Sequence, residues 1–253
     1  MSYINTNKTL NLLEEVLTQN FSAKLEYLPE QFHKEQLYAI ELFKKRLFLE
    51  QIIDKTISFN RSIEFDESSN NLFLTTSAEM LVDVFKLRSD VYSAIPGYQD
   101  EFPDVIEGLN FDKFDKHSAI VYYKKGSKIT ATTRLIFDIG NLLPSEEKYS
   151  FDKFRKQYKI GEVSRLMIHN DRQCSGQEFK YLTLGIYKIY LNSDVEILMS
   201  GIKQEHYKLY SKFGGFKIEK ELNNYGNLDL NALILSWDPS KISNFFKKVF
   251  LNN

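Results

Sequence analysis

The chain has 253 residues, 43% hydrophobic and 14% aromatic, and a formal net charge of −1. That is enough apolar material for one large α/β core with extensions, and it argues against a disordered chain. Balanced charge argues against general nucleic-acid binding, which needs a strongly basic face, and a lone cysteine, Cys174, excludes an intramolecular disulfide and suits a reducing cytoplasm.

No apolar run approaches the roughly 20 residues needed to span a bilayer, and the polar start MSYINTNKT does not read as a signal peptide. A cytoplasmic protein without stable membrane insertion is expected. From about Thr9 to Ile53 the pattern predicts two helices, LNLLEEVLTQNF and EQFHKEQLYAIELFKKRLFLEQII. They read as a helical cap on the main domain or, alternatively, as a mobile lid or partner-docking arm. The turn-rich stretch NRSIEFDESSNN sets the boundary, giving a helical extension over 1–65 and one domain over 66–253.

Thr76 with Glu79 reads as a capping box for a helix through Arg88. Strands at about 117–124 and 128–138, joined by KKGSK, read as a hairpin. After the irregular GNLLPSEEKYSFDKFRKQYK comes the strand IGEVSRLMIH, then a buried helix over about 177–192. Strand VEILMSG, helix QEHYKLYSKF, strands FKIEKEL and LDLNALILSWD, and a final helix SKISNFFKKVFL complete the order. The class is mixed α/β, with a twisted sheet of about six or seven strands flanked by helices. The two unbroken apolar strands, IGEVSRLMIH and VEILMSG, are expected at its centre, splayed to leave a cleft.

Glu162 and Arg165 are the most informative residues, because burying charge in a core strand costs several kcal/mol unless each group is paired. Such a pair is either structural or a site. Alternation at period 2 predicts Glu162 and Ser164 on one face, with Val163 and Arg165 on the other. Arg88 and Tyr92, four apart, share a helix face. Asp112 and Asp115 precede a strand, and Arg134 lies in the next. Cys174 is not expected to act as a nucleophile, His169 and His206 are isolated, and no metal-ligand spacing appears.

Taken together over Ala78 to Leu235, these motifs resemble the bacterial acyl-homoserine-lactone (autoinducer) synthases and the related N-acyl amino acid synthases. Both belong to a branch of the GNAT N-acyltransferases that uses acyl carrier protein. The resemblance implies a GNAT-like fold and N-acyl transfer to an amine. It implies catalytic roles for Glu162, as base, and Arg165, and substrate-binding roles for Arg88, Tyr92, Tyr98, Asp112, Asp115, Arg134 and Phe154. The family's downstream tryptophan has no counterpart here, Tyr98 being the nearest aromatic, and this departure with the long N-terminal extension tilts the expected acceptor from S-adenosylmethionine toward an amino acid. Phe154 is expected as an acyl-pocket wall, or else an ordinary core aromatic.

No tightly bound cofactor is expected; the co-substrate is an acyl-phosphopantetheine, on acyl carrier protein or as acyl-CoA. In Arg172-Gln173-Cys174-Ser175-Gly176-Gln177 the coenzyme A phosphate loop keeps its start and loses its glycine register, leaving Arg172, Ser175 and Gly176 as candidate phosphopantetheine-binding residues. Lys153, Arg155, Lys156 and Lys159, or Lys247 and Lys248, are candidates for docking an acidic carrier protein, with simple solvated faces as the alternative. Two other readings stand beside this one: a GNAT enzyme using acetyl- or acyl-CoA on a small amine or protein lysine, and a GNAT-like binding module without chemistry.

Overall fold

A computed structural model describes residues 30–67, 71–169, 176–226 and 228–251, so the expected first helix, LNLLEEVLTQNF, lies outside the described residues. The chain divides into two compact units, one ending at Asp54 and one beginning at Lys55. Helix α1 (Glu30–Arg61) outruns its expected end at Ile53.

The second unit holds one seven-stranded sheet in the order β1-β2-β3-β4-β5-β7-β6. The strands are β1 (Leu72–Leu74), β2 (Ser118–Lys125), β3 (Lys128–Phe137), β4 (Ile160–Ile168), β5 (Ile197–Lys203), β6 (Phe216–Leu222) and β7 (Ala232–Trp237). All neighbours pair antiparallel except β4 and β5, which are parallel. Helix α2 (Ala78–Ser93) packs on the face that carries Ile120, Arg134 and Ile136. Helix α3 (Gln177–Leu191) covers the opposite face, where Gly185 lets it approach Val121 and Leu72: a Cβ there would lie 3.0 and 3.2 Å from their methyl groups. Helix α2 is capped one residue later than expected, because the Ser77 hydroxyl, and not Thr76, accepts from the Met80 N–H.

Two local features of the sheet open a cleft and shape its wall. Strands β4 and β5 pair only from Ile160–Val163 against Ile197–Ser200 and part beyond that point, as the two apolar runs predict. Strand β4 also carries a bulge against β3: Arg134 pairs with Ser164 and Thr132 with Met167, so Arg165 and Leu166 together oppose Thr133. Arg165 takes up the extra length with φ of +55°, a left-handed conformation that costs a non-glycine residue about 1–2 kcal/mol.

Because β1 spans only three residues, part of the β2 edge lacks a strand partner. Asn60, in the part of α1 that belongs to the second unit, fills the gap. Its amide donates to Ser118 O at 2.8 Å and accepts from Ile120 N–H at 2.9 Å, and Thr56 Oγ1 donates to Asp115 O at 3.0 Å. Buried backbone groups need such partners, which explains polar residues on an otherwise packed helix face. Asn60→Ala strands both groups and is expected to cost about 1–3 kcal/mol for each, read as a lower urea midpoint; an unchanged midpoint would show that Asn60 does not hold this edge.

Candidate active site

Charged residues from α2, from the short helix before β2, from β3 and from β4 meet in one network. Arg134 is the hub: its Nη1 donates to Asp112 at 2.7 Å and to Asp115 at 2.8 Å, its Nη2 to Asp112 at 2.9 Å, and its Nε to Ser164 Oγ at 2.9 Å. Arg88 donates to Asp115 from α2 at 2.8 Å, and Arg165 to Asp112 from β4 at 3.0 Å. Asp112 and Asp115 are held by the short helix Lys113–His117 in a reciprocal capping box, the Phe114 N–H donating to Asp112 and the Asp112 N–H to Asp115. Burial alone would raise the Asp112 carboxyl, yet Arg134 and Arg165 hold it well below the usual carboxylate range. Burial likewise opposes the charge on Arg134, and the two aspartates more than restore it.

The face expected for Arg165 is therefore corrected. Period-2 alternation puts it opposite Glu162, but the bulge rotates it by one residue onto the α2 side, where Arg134 also holds Asp112. Its guanidinium lies 5.0 Å from the Tyr92 ring centre and 5.1 Å from that of Phe102, and the two rings stack at 5.0 Å.

Glu162 is 2% exposed. Its two oxygens accept from the Ser145 N–H at 3.1 Å and the Ser145 hydroxyl at 2.8 Å. Burial pushes its pKa up to about 7, the Ser145 bonds and the nearby Arg134 charge only partly opposing it. Ser145 sits in the short helix Pro144–Glu147 of the segment that reads as irregular in sequence. That segment is tied down by Arg155, which pairs with Glu146 and Asp138. Arg155 is thus committed to an internal network, which corrects the expectation that it docks a partner. Lys153 and Lys159 pair with Glu219 and Asp194.

Two hollows meet at these residues. A polar cavity of 370 Å³ is lined by Glu162, Asp112, Arg134, Arg165 and the rings of Phe114 and Tyr225. An apolar cavity of 310 Å³ runs through the gap between β4 and β5, past Val163, Met167, Ile186, Leu198, Phe213 and Trp237. Tyr92, Tyr98, Ser164, Arg165 and Lys203 line both. Arg88 and Asp115, fully buried, lie behind the polar cavity and line neither. Phe154, in the short helix Asp152–Arg155, is not brought to the cleft: its ring packs edge-on against Phe151 and faces a separate hollow with Lys217 and Glu219. Gly176 caps α3 with φ of +73° and open space where a Cβ would stand, while Arg172 and Ser175 lie outside the described residues.

Sequence reasoning did not find Ser145, Phe102, Lys203 or Tyr225. No local pattern marks them; they reach the cleft from a short helix, the end of another, a loop and a strand end. Among the described residues no group of three His, Cys, Asp or Glu side chains is placed to hold a metal, and no helix is long and apolar enough to cross a membrane.

The family model of the N-acyl amino acid synthase FeeM matches residues 83–238, more than half of the chain and the whole stretch that builds the charged network. The chain belongs to the FeeM family of N-acyl amino acid synthases. It is accordingly an acyltransferase of the N-acyl amino acid synthase type. Among solved structures it is similar to FeeM from uncultured soil microbes, at 17% identity and a TM-score of 0.53 over 71% of this chain and 94% of that one. It is similar also to the acyl-homoserine-lactone synthase LasI, at 14% and 0.52 over 72% and 95%. The CoA-dependent acyl-homoserine lactone synthase BjaI is another, at 15% and 0.50 over 68% and 81%. At these identities the likeness is one of fold. No curated protein matches the chain by sequence.

The network separates the roles of the two cleft arginines. Arg134→Met leaves Asp112 and Asp115 short of their main partner and is expected to destabilise by about 3–5 kcal/mol in urea unfolding, whereas Arg165→Met, which leaves Asp112 on Arg134, is expected to cost less than half as much. Glu162 gives a second, pH-dependent test. Its raised pKa means that ionising it costs more in the folded than in the unfolded chain; the cost is absent below about pH 4.5, grows toward pH 7 and is complete above it. The stability of Glu162→Gln relative to the parent should therefore climb by about 3 kcal/mol across that range, at roughly 1.4 kcal/mol per pKa unit. A flat difference would mean that Glu162 is not raised.

Proposed function

We propose that the chain transfers a fatty acyl group from the phosphopantetheine thioester of acyl carrier protein to the amine of an amino acid. The observation that carries this reading is a buried carboxyl, Glu162, whose pKa lies at about 7 on the wall of a cleft opened by the parting of β4 and β5. A carboxylate with that pKa is matched to accept a proton near neutral pH. The apolar cavity suits the acyl chain and the polar one suits the amine, with Arg165, Tyr92 and Tyr98 at their junction.

Glu162, directly or through a water, takes a proton from the amine; the amine nitrogen attacks the thioester carbonyl, and the C–S bond breaks as the amide C–N bond forms. The departing thiolate takes up a proton. That proton comes from Glu162, directly or through a water, because the carboxyl protonated by the amine is, at about 7, a stronger acid than the thiol being formed. Arg88, Asp115 and Arg134 act as positioning residues, holding Asp112 and Arg165 in the cleft wall. The open space beside Gly176 leaves room for a phosphate at the start of α3, and in the sequence that precedes it the lost glycine register favours phosphopantetheine on a carrier protein over coenzyme A.

The test is acyl transfer to amino acids measured with acyl carrier protein and with acyl-CoA as donors. Glu162→Gln should lower turnover by about 10²–10⁴-fold, and the loss should shrink at high pH, where free amine is already abundant. Full activity of Glu162→Gln would return this residue to a structural role, and a preference for acyl-CoA would reassign the donor.

A further inference from the structure

We propose that Lys203 anchors the carboxylate of the acceptor, making this cleft selective for amines that carry a free carboxylate next to the amine. The proposal deepens the acyl-transfer reading above and rests on it. Lys203 ends β5 and lines both cavities where they join, with its ammonium 5.4 Å from the Tyr98 ring centre. It forms no ion pair with any described residue, although Glu101 and Glu147 also line the polar cavity. Arg165 brings a second cation to the same wall, but its Nη2 is taken by Asp112 and its Nη1 is buried, which leaves Lys203 as the cation available at the junction.

Lys203 and Arg165 come from adjacent, parting strands and both line the junction of the two cavities, where an ammonium with no ion pair among the described residues suits a carboxylate. The alternation of β4 puts Glu162 and Ser164 on the same wall that Arg165 joins through the bulge. An α-amino acid held there by its carboxylate therefore presents its amine toward Glu162, beside the apolar cavity. A simple amine or a protein lysine lacks the group that would be held.

The experiment offers the twenty L-amino acids and their α-amides, as an equimolar mixture with acyl carrier protein charged with a fatty acyl chain, and reads the products by mass spectrometry. For the best acid–amide pair, kcat/KM is then measured separately. The expected result is acylation of the acid at least tenfold above its amide, expressed mainly in KM. That ratio should fall at least tenfold in Lys203→Met and be largely restored in Lys203→Arg. Equal use of acids and amides by the parent protein, or a ratio unmoved by Lys203→Met, overturns the anchor and leaves acyl transfer standing. Absence of any product removes both together, an outcome distinct from the other two.

Discussion

Arg134 is the constraint on which this molecule depends. A guanidinium 1% exposed at the centre of a sheet is costly unless it is paired and hydrogen-bonded. The chain meets that demand through Asp112 and Asp115 from the short helix before β2 and through Ser164 from β4, while Arg88 adds a second cation from α2 on the shared Asp115 carboxylate. Strands, helix and loop are thus fixed relative to one another by a single buried group. Replacing such a network by apolar side chains is often neutral for stability, so its retention around a cleft speaks for geometry more than for folding energy.

The same network explains why β4 is irregular. Arg165 adopts a left-handed backbone at a bulge, a local cost that persists only where the surroundings over-determine it. Asp112 and the stacked rings of Tyr92 and Phe102 supply that determination. The bulge lies just past the last residue that β4 shares with β5, so strand parting and side-chain rotation occur together. Two cavities, one walled by the charged network and one largely apolar, thereby open onto one junction.

Glu162 sits at the edge of this arrangement and not inside it. It receives two hydrogen bonds from Ser145 and no direct one from an arginine, which leaves burial as the dominant influence on its proton. Had Arg134 reached Glu162 as it reaches Asp112, the carboxyl would be locked as an anion. Two carboxyls beside the same guanidinium are thus driven in opposite directions, Asp112 well below the usual carboxylate range and Glu162 up to about 7. The Ser145 segment, pinned by Arg155 to Glu146 and Asp138, is what keeps that distinction.

The sequence by itself determined the class of the fold, the order of its elements along the chain and the identity of the charged residues, since period-2 and helical patterns are local and a charge in an apolar run is visible without coordinates. Arg88, Asp112, Asp115, Arg134, Glu162 and Arg165 were all legible in this way, as was the parting of β4 from β5. Only the tertiary structure decided which face Arg165 occupies, because one extra residue in a strand inverts the alternation on which the sequence argument rests and leaves no trace in the pattern. Only it set Phe154 apart from the cleft and gave Arg155 to an internal pair. It also brought Ser145, Phe102, Lys203 and Tyr225 into the site, residues from short helices, a loop and a strand end whose place depends on contacts far away in the chain. Spacing reads what neighbours along the chain share; a cleft is made by residues that share nothing but the space between them.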